Sequence, residues 1–238
     1  FTPAEWIALD IETAGGRPED AEAWMRLNWA PSDKWKPETI GARYLELLAK
    51  KRERLALLDA SQVIAVAVRT PMEMGCFHSM QASPAAVIEG GAFVQGFGSE
   101  REMLAALRGF LAARASEETL VVGHNIISFD LPRLRIAFLR NGLQLPPVFH
   151  DPAQPVFDSM REYCRRFSAD TDNGAMISLA DMLPKLGMKS HKDLTDGGNV
   201  PTLYAAGQFE AIAKYALLDV ATEAEAFLRL TGRSAALA

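Results

Sequence analysis

The chain has 238 residues, of which 49% are hydrophobic, and a formal net charge of −5. That length supports one sizeable core, and the acidic balance excludes a strongly basic nucleic-acid coat protein. No apolar run approaches the length of a membrane span, and no signal-peptide pattern is present. Cys76 and Cys164 lack metal-ligand spacing. We therefore expect two free thiols, no membrane association and a cytoplasmic location.

The first predicted element is a strand over residues 6–12 that ends in two acids, Asp10 and Glu12. Because side chains alternate along a strand, the three aliphatic residues point to one face and both acids to the other. The acids lie about 7 Å apart along the strand, and buried carboxylates are costly unless they are paired or bind a metal. Two readings stay open here, a metal-binding pair or two surface acids at a strand end.

The segment 14–60 is polar at first and turns helical in composition from Pro37 to Asp59. It contains three tryptophans and a run of charged residues, mostly basic: Trp24, Trp29, Trp35 and Lys50–Arg54. Aromatic and basic residues together would suit a flap over a nucleic-acid strand. The alternative is a helical subdomain whose tryptophans pack inward, and we favour it.

The next elements lead towards a second acidic fragment. Gln62–Arg69 is predicted to be an interior strand, a third strand is expected near Met74–Met80, and Ser99–Arg114 has the pattern of an amphipathic helix.

The second fragment starts with an apolar strand at Leu120–Val122. Gly123, His124 and Asn125 break this strand, and a helical pattern starts at Asp130. Asp130 is therefore expected at a strand–loop–helix junction. An acid there is also favoured by capping and by the helix dipole, so a structural role stays open, as does a turn role for His124 and Asn125.

The third fragment lies on a predicted helix from Phe209 to Leu230. Tyr215 and Asp219 are four residues apart and share one face. A core tyrosine whose hydroxyl bonds to Asp219 would give the same pattern. Asp158, after a short apolar run, is a candidate fifth ligand, but we interpret it as a residue that starts a helix.

In chain order these fragments supply four carboxylates and a phenol: Asp10, Glu12, Asp130, Tyr215 and Asp219. Their pattern resembles the DEDD superfamily of 3′–5′ exonucleases and is similar to the stand-alone family B DNA polymerase-like exonuclease domain. Tyrosine four residues before the last acid indicates the tyrosine branch, because the sister branch has histidine where this chain has Lys214. The resemblance spans roughly residues 5–13 and 61–230.

The resemblance implies an α/β fold of the RNase H-like type, with a mixed five-stranded sheet flanked by helices. It implies a single exonuclease domain over residues 1–238, in which 14–60 is a helical insertion after the first strand. The four acids would bind two Mg²⁺ or Mn²⁺ ions, and Tyr215 would orient the attacking water. Substrate contacts are expected from Thr13, His124, Asn125 and Phe129. Phe129 would stack on a base or plug the core, and both readings stay open.

The activity implied is removal of nucleoside 5′-monophosphates from the 3′ end of single-stranded DNA. An exoribonuclease that trims RNA ends is the nearest alternative, and a catalytically silent nucleic-acid-binding module is an alternative of another class. Lys189, His191 and Lys192 form a basic stretch that would meet phosphates, although we favour a solvated loop. A role in proofreading or repair would involve a polymerase or repair partner.

Overall fold

A computed structural model describes residues 4–14, 18–55, 61–88, 90–150, 153–167, 176–189 and 199–233, with the backbone alone at 18–21, 24 and 51–55. The strands are β1 Trp6–Ala14, β2 Gln62–Arg69, β3 Met74–His78, β4 Ser83–Val87, β5 Phe93–Gly96, β6 Leu120–Gly123 and β7 Val156–Asp158. The helices are α1 Pro18–Asn28, α2 Pro37–Leu55, α3 Glu100–Ala112, α4 Asp130–Arg140, α5 Ser159–Phe167, α6 Leu179–Lys185, α7 Val200–Ala205 and α8 Phe209–Leu230.

The described strands form one mixed sheet in the order β4-β5-β3-β2-β1-β6-β7. β1 pairs antiparallel with β2 and parallel with β6, so it lies near the centre of the sheet. The predicted count of five strands is too low, since the described residues alone contribute seven strands to the sheet. β4 and β5 explain the difference, because every residue of β4 is exposed and β5 has only four residues, three of them half-buried. Neither carries the apolar run by which an interior strand is recognised.

The two faces of β1 belong to two different cores. Ile7, Leu9 and Ile11 pack with the buried side chains of α3 and α4, as their alternation predicts. Trp6 and Ala8 face the opposite core, which α8 covers.

Small residues line the contact between α8 and the sheet. Ala65 and Ala67 of β2 and Ala213 and Ala216 of α8 are all buried in this core. Side chains of this size let a helix approach the sheet closely. The acidic side chains of β1 and α8 can therefore meet across a short distance.

The segment between β1 and β2 contains α1 and α2. Trp29 packs edge-on against Tyr44, with 5.1 Å between ring centroids, beside the buried Met25 and Leu48. Trp35 is 38% exposed. Trp29 therefore agrees with the inward-packing interpretation and Trp35 does not. The side chains of Trp24 and residues 51–54 lie outside the described part of the chain, and that the segment is an insertion stays a prediction.

Three predicted elements match the structure closely. β2 and α8 have the predicted bounds, and α3 begins and ends within two residues of its predicted limits. Ser99 starts α3, and its side-chain oxygen accepts a hydrogen bond from the Glu102 amide at 3.2 Å. Among the helices of the described residues, none combines the length and the apolar character needed to cross a bilayer.

Candidate active site

Three carboxylates meet where β1 faces α8. One oxygen each from Asp10, Glu12 and Asp219 lies within 4.8 Å of the other two. Glu12 is buried, the other two are half-buried, and Oδ2 of Asp10 is buried without a hydrogen-bond partner among the described residues. Carboxylate oxygens at such spacing are ligands that hard divalent cations prefer. The residues present therefore fit a divalent metal centre.

Asp130 lies beside this group rather than within it. The carboxylate of Asp130 accepts a hydrogen bond from the backbone amide of Ile11 at 3.1 Å. The amide is available because the pairing of β1 with β6 ends at Ala8 and Val122. Asp130 is also the first residue of α4, as predicted. The hydrogen bond thus joins the start of α4 to the stretch of β1 that carries Asp10 and Glu12.

Burial and repulsion between carboxylates make Asp10, Glu12 and Asp130 reluctant to ionise. Burial is the largest cause that raises the pKa of Asp10 and of Glu12 well above their usual values, and neighbouring carboxylates raise both further. Burial also raises the pKa of Asp130 to about 7, although the Ile11 amide and the charge of Arg133 act in the opposite direction. Bound cations would relieve this repulsion.

Tyr215 is half-buried one helical turn before Asp219 and donates a hydrogen bond to its carboxylate. Burial, followed by the charge of Asp219, raises the pKa of Tyr215 above its ordinary value. The hydroxyl therefore keeps its proton at neutral pH. This geometry agrees with the core-tyrosine reading and equally with a group that orients water.

The loop after β6 is held by Asp158. The Asp158 carboxylate accepts hydrogen bonds from the amides of Asn125 and Ile127 at 3.0 and 3.3 Å, and from those of Met160 and Arg161 at 3.1 and 3.3 Å. The last two are in the first turn of α5, so the interpretation of Asp158 as a helix-start residue is confirmed. The bonds to the loop were not predicted.

The same loop lines a cleft of about 470 Å³, which Asp10 and Asp130 also line. Asn125 has a φ of 59°, a left-handed conformation that asparagine tolerates better than most residues. Its buried Oδ1 has no partner among the described residues. Phe129 is half-buried at the cleft wall, with the guanidinium of Arg133 3.7 Å from its ring centroid.

Both ring nitrogens of His124 are within hydrogen-bond distance of other residues of the chain. One ring nitrogen lies 2.9 Å from the hydroxyl of Ser159 and the other 2.9 Å from the carbonyl of Ile177. Burial is the main cause that lowers the pKa of His124. His124 therefore joins three segments of the cleft wall, and a substrate contact from it stays a prediction.

The remaining predicted contacts lie away from the open cleft or outside the described residues. Thr13 is 8% exposed, at a register shift between β1 and β2. Lys189 is exposed, whereas His191 and Lys192 lie outside the described part of the chain.

Sequence reasoning missed a further buried acid, Glu223. It is 4% exposed and accepts a hydrogen bond from the backbone amide of His124. Its Oε2 has no partner among the described residues. Burial raises its pKa well above the usual value, and the charges of Asp130 and Asp219 add to this effect. The available signal was its spacing, since Glu223 follows Asp219 by four residues on a helix.

The chain is thus an α/β domain with an acidic cluster, suited to divalent cations, at the edge of a cleft. The family model for predicted 3′–5′ exonucleases related to the exonuclease domain of PolB matches residues 85–238. The chain belongs to this family. The match includes Asp130, Tyr215 and Asp219, whereas Asp10 and Glu12 precede it. No curated protein matches the chain.

Proposed function

We propose that this protein is a metal-dependent 3′–5′ exonuclease of the tyrosine branch of the DEDD superfamily. It would hydrolyse single-stranded DNA from the 3′ end and release nucleoside 5′-monophosphates. The observation that carries the proposal is the meeting of three carboxylates from β1 and α8, in a chain that belongs to an exonuclease family.

Asp10, Glu12 and Asp219, with Asp130 beside them, would hold two Mg²⁺ or Mn²⁺ ions. The buried Oδ2 of Asp10, for which the described part of the chain offers no hydrogen-bond partner, supports this assignment. Two divalent cations would supply the positive charge that stabilises the attacking and leaving oxygens of phosphodiester hydrolysis. Carboxylate oxygens are preferred ligands of such hard cations, which would complete their coordination with phosphate oxygens of the substrate.

Tyr215 would position the attacking water rather than remove its proton. Its hydroxyl is fixed by Asp219 and keeps its proton because its pKa is raised. A hydroxyl in a set orientation can hold water by a hydrogen bond, and correct positioning is a large part of catalysis in such reactions.

The cleft would receive the 3′ end of the strand. Asn125 and Phe129 line the cleft and would contact a nucleotide there, with the Phe129 ring stacking on a base. Thr13, next to Glu12, would contribute through its backbone. A polymerase or repair partner and a cytoplasmic location stay predictions.

The experiment that tests the proposal follows 5′-labelled DNA and RNA single strands of one sequence in Mg²⁺, Mn²⁺ or EDTA. We expect a ladder that shortens from the 3′ end only with metal, and faster on DNA. The Asp10→Asn variant should lack the ladder, while Glu118→Gln, which neutralises an exposed acid between α3 and β6, should keep it.

Two other outcomes would replace the proposal. Faster shortening of RNA would identify an exoribonuclease. Intact strands with every metal, despite retained binding, would identify a binding module without catalysis.

A further inference from the structure

We propose that helix α5 is a docking surface for the nucleic-acid strand whose 3′ end lies in the cleft. This inference rests on the proposed function. The helix Ser159–Phe167 contains three arginines and a single acid, Glu162. It is therefore a locally positive surface in a chain whose net charge is −5, and phosphates are attracted to such a surface.

The N-terminus of α5 is part of the cleft wall. Met160 lines the cleft, and Ser159 contacts the ring of His124 at 2.9 Å. Arg161, two residues after Ser159, donates a hydrogen bond to the hydroxyl of Ser128, the neighbour of Phe129, at 2.9 Å. Arg161 also lies 3.7 Å from the Asp158 carboxylate. The positive charge available to phosphates therefore comes from the two arginines further along α5, which continues outward from the cleft wall.

The next two arginines face solvent. The side chains of Arg165 and Arg166 are 65% and 41% exposed, and both contact the carboxylate of Glu162, at 2.7 and 2.8 Å. One carboxylate cannot neutralise two guanidinium groups. Exposed ion pairs of this kind contribute little, so phosphate oxygens can replace the Glu162 contact, and guanidinium groups bind phosphate in a favourable two-point geometry.

Apolar groups are exposed at both ends of this surface. Phe167, at the end of α5, is 58% exposed, with its ring 5.7 Å from that of Tyr163. Met176, in the cleft wall, is 77% exposed. Arginines that neutralise phosphates, together with an exposed aromatic ring on which a base stacks, are the combination that binds single strands without sequence preference.

The residues from Arg161 to Phe167 cover about 9 Å along the helix axis. The surface therefore extends the cleft outward, beyond the acids that would carry the chemistry. It would hold the part of the strand that precedes the 3′ end, through phosphates and base faces that DNA and RNA share.

The test measures binding without hydrolysis. Fluorescence anisotropy of a labelled single-stranded oligonucleotide in EDTA would compare the wild type with Arg165→Ala/Arg166→Ala over a range of salt concentrations. The association constant K falls as salt rises, so the slope of log K against log salt is negative. Loss of two phosphate contacts should make this slope less steep by about 1.4 and weaken binding roughly 25-fold at 0.1 M salt. Arg165→Lys/Arg166→Lys should restore most of the slope, because it retains the charge.

The matched control is Arg101→Ala/Arg108→Ala, which removes two exposed arginines of α3, on the other side of the sheet. It changes the net charge equally and should bind like the wild type. Equal weakening by both double variants would show that only net charge matters and would overturn the proposal. Unchanged binding by the α5 variant, or no binding by the wild type, would also overturn it.

These outcomes are separate from the proposed catalysis. A wild type that binds through α5 but leaves the strand intact would overturn the exonuclease activity and keep the docking surface. If the wild type degrades DNA while the α5 variant binds normally, the exonuclease activity is kept and the docking surface is overturned. Equal melting temperatures of all variants would confirm that each is folded.

Discussion

At the residue scale, the site combines the protonated phenol of Tyr215 with two carboxylates, Asp10 and Glu12, whose raised pKa values make ionisation difficult. Tyr215 and Asp219 are bonded to each other, and Asp219 lies near Asp10 and Glu12. A substitution that changes only the polar group of a side chain can separate a role in positioning from a role in packing, because the rest of the side chain keeps its contacts.

Tyr215→Phe removes only the hydroxyl. We expect kcat to fall by about tenfold to a hundredfold, since water orientation is lost while the acids remain. Because the pKa of Tyr215 is raised, the wild type should show no titration of this group in rate profiles between about pH 6 and 9. Steady-state kinetics on single-stranded DNA would check both points. Tyr204→Phe, at a half-buried tyrosine of α7, is the matched control, and equal effects of the two variants would contradict a role in catalysis.

Glu223→Gln removes a buried charge but keeps an oxygen that can accept from the His124 amide. Since burial and like charges raise the pKa of Glu223, the ionised form is costly in the folded protein. The metal-free variant should therefore melt at a higher temperature than the wild type, and the gain should be larger at pH 8 than at pH 5. Differential scanning fluorimetry in EDTA would measure it. A gain independent of pH would show that charge is not the cause.

At the element scale, two residues fix the conformation of the loop between β6 and α4. Asp158 binds the loop from one side through backbone amides. Gly123 is the last residue of β6, and the side chain of Ile126 in the loop packs directly against it. A hypothetical Cβ on Gly123 would lie 2.7 Å from Cδ1 and 2.8 Å from Cβ of the buried Ile126.

Asp158→Ala leaves four amides without their acceptor. We expect a loss of about 3 kcal/mol or more in the free energy of unfolding, since bonds to a charged acceptor are strong and buried amides are costly when unpaired. Asp158→Asn should lose less, because it can retain the oxygen that accepts from Asn125, Met160 and Arg161. Urea unfolding would compare them. Equal losses would mean that the charge, and not the acceptor geometry, holds the loop.

Gly123→Ala should force Ile126 or the loop to move. We expect a destabilisation of about 1–3 kcal/mol from overpacking, with reduced nuclease activity because the loop leads to Asp130. Gly109→Ala is the control, since a Cβ there meets nothing within 4 Å and the residue lies inside α3. This control should gain about 0.5–1 kcal/mol. A Gly123→Ala protein as stable as the wild type would show that the turn adjusts freely.

At the scale of the whole molecule, the acid cluster couples stability to pH and to metal. A carboxyl whose pKa is higher in the folded than in the unfolded state binds more protons when folded, so stability falls as pH rises between the two values. For Asp130 this interval runs from its ordinary value of 3.8 to about 7. Asp10 and Glu12 shift in the same direction.

The metal-free protein should therefore unfold at a lower temperature at pH 8 than at pH 5. Mn²⁺ at pH 8 should raise the melting temperature, because a ligand that binds only the folded state stabilises it, by about 2.7 kcal/mol at a hundred times its Kd. Asp219→Ala should remove most of that rise. Scanning calorimetry with and without EDTA would measure both effects. A melting curve unaffected by millimolar metal would count against the metal centre.

Features that depend on short-range periodicity could be predicted from the amino-acid sequence alone. Strand alternation places Asp10 and Glu12 on one face of β1. Helical spacing places Tyr215 and Asp219 on one face of α8, whose bounds were predicted correctly. The absence of glycine and proline within α8 made its limits readable, whereas the exposed β4 and the four-residue β5 gave no such signal.

Which of these faces meet depends on long-range packing and could not be predicted from local patterns. The bond between Ile11 and Asp130 joins residues 119 positions apart, and the buried environment of Glu223 depends on the packing of α8 against β1 and the His124 loop. Asp158 likewise has a partner loop 33 residues away. Contacts of this kind depend on strand order and on the close approach of α8 to the sheet, neither of which a local pattern of side chains encodes.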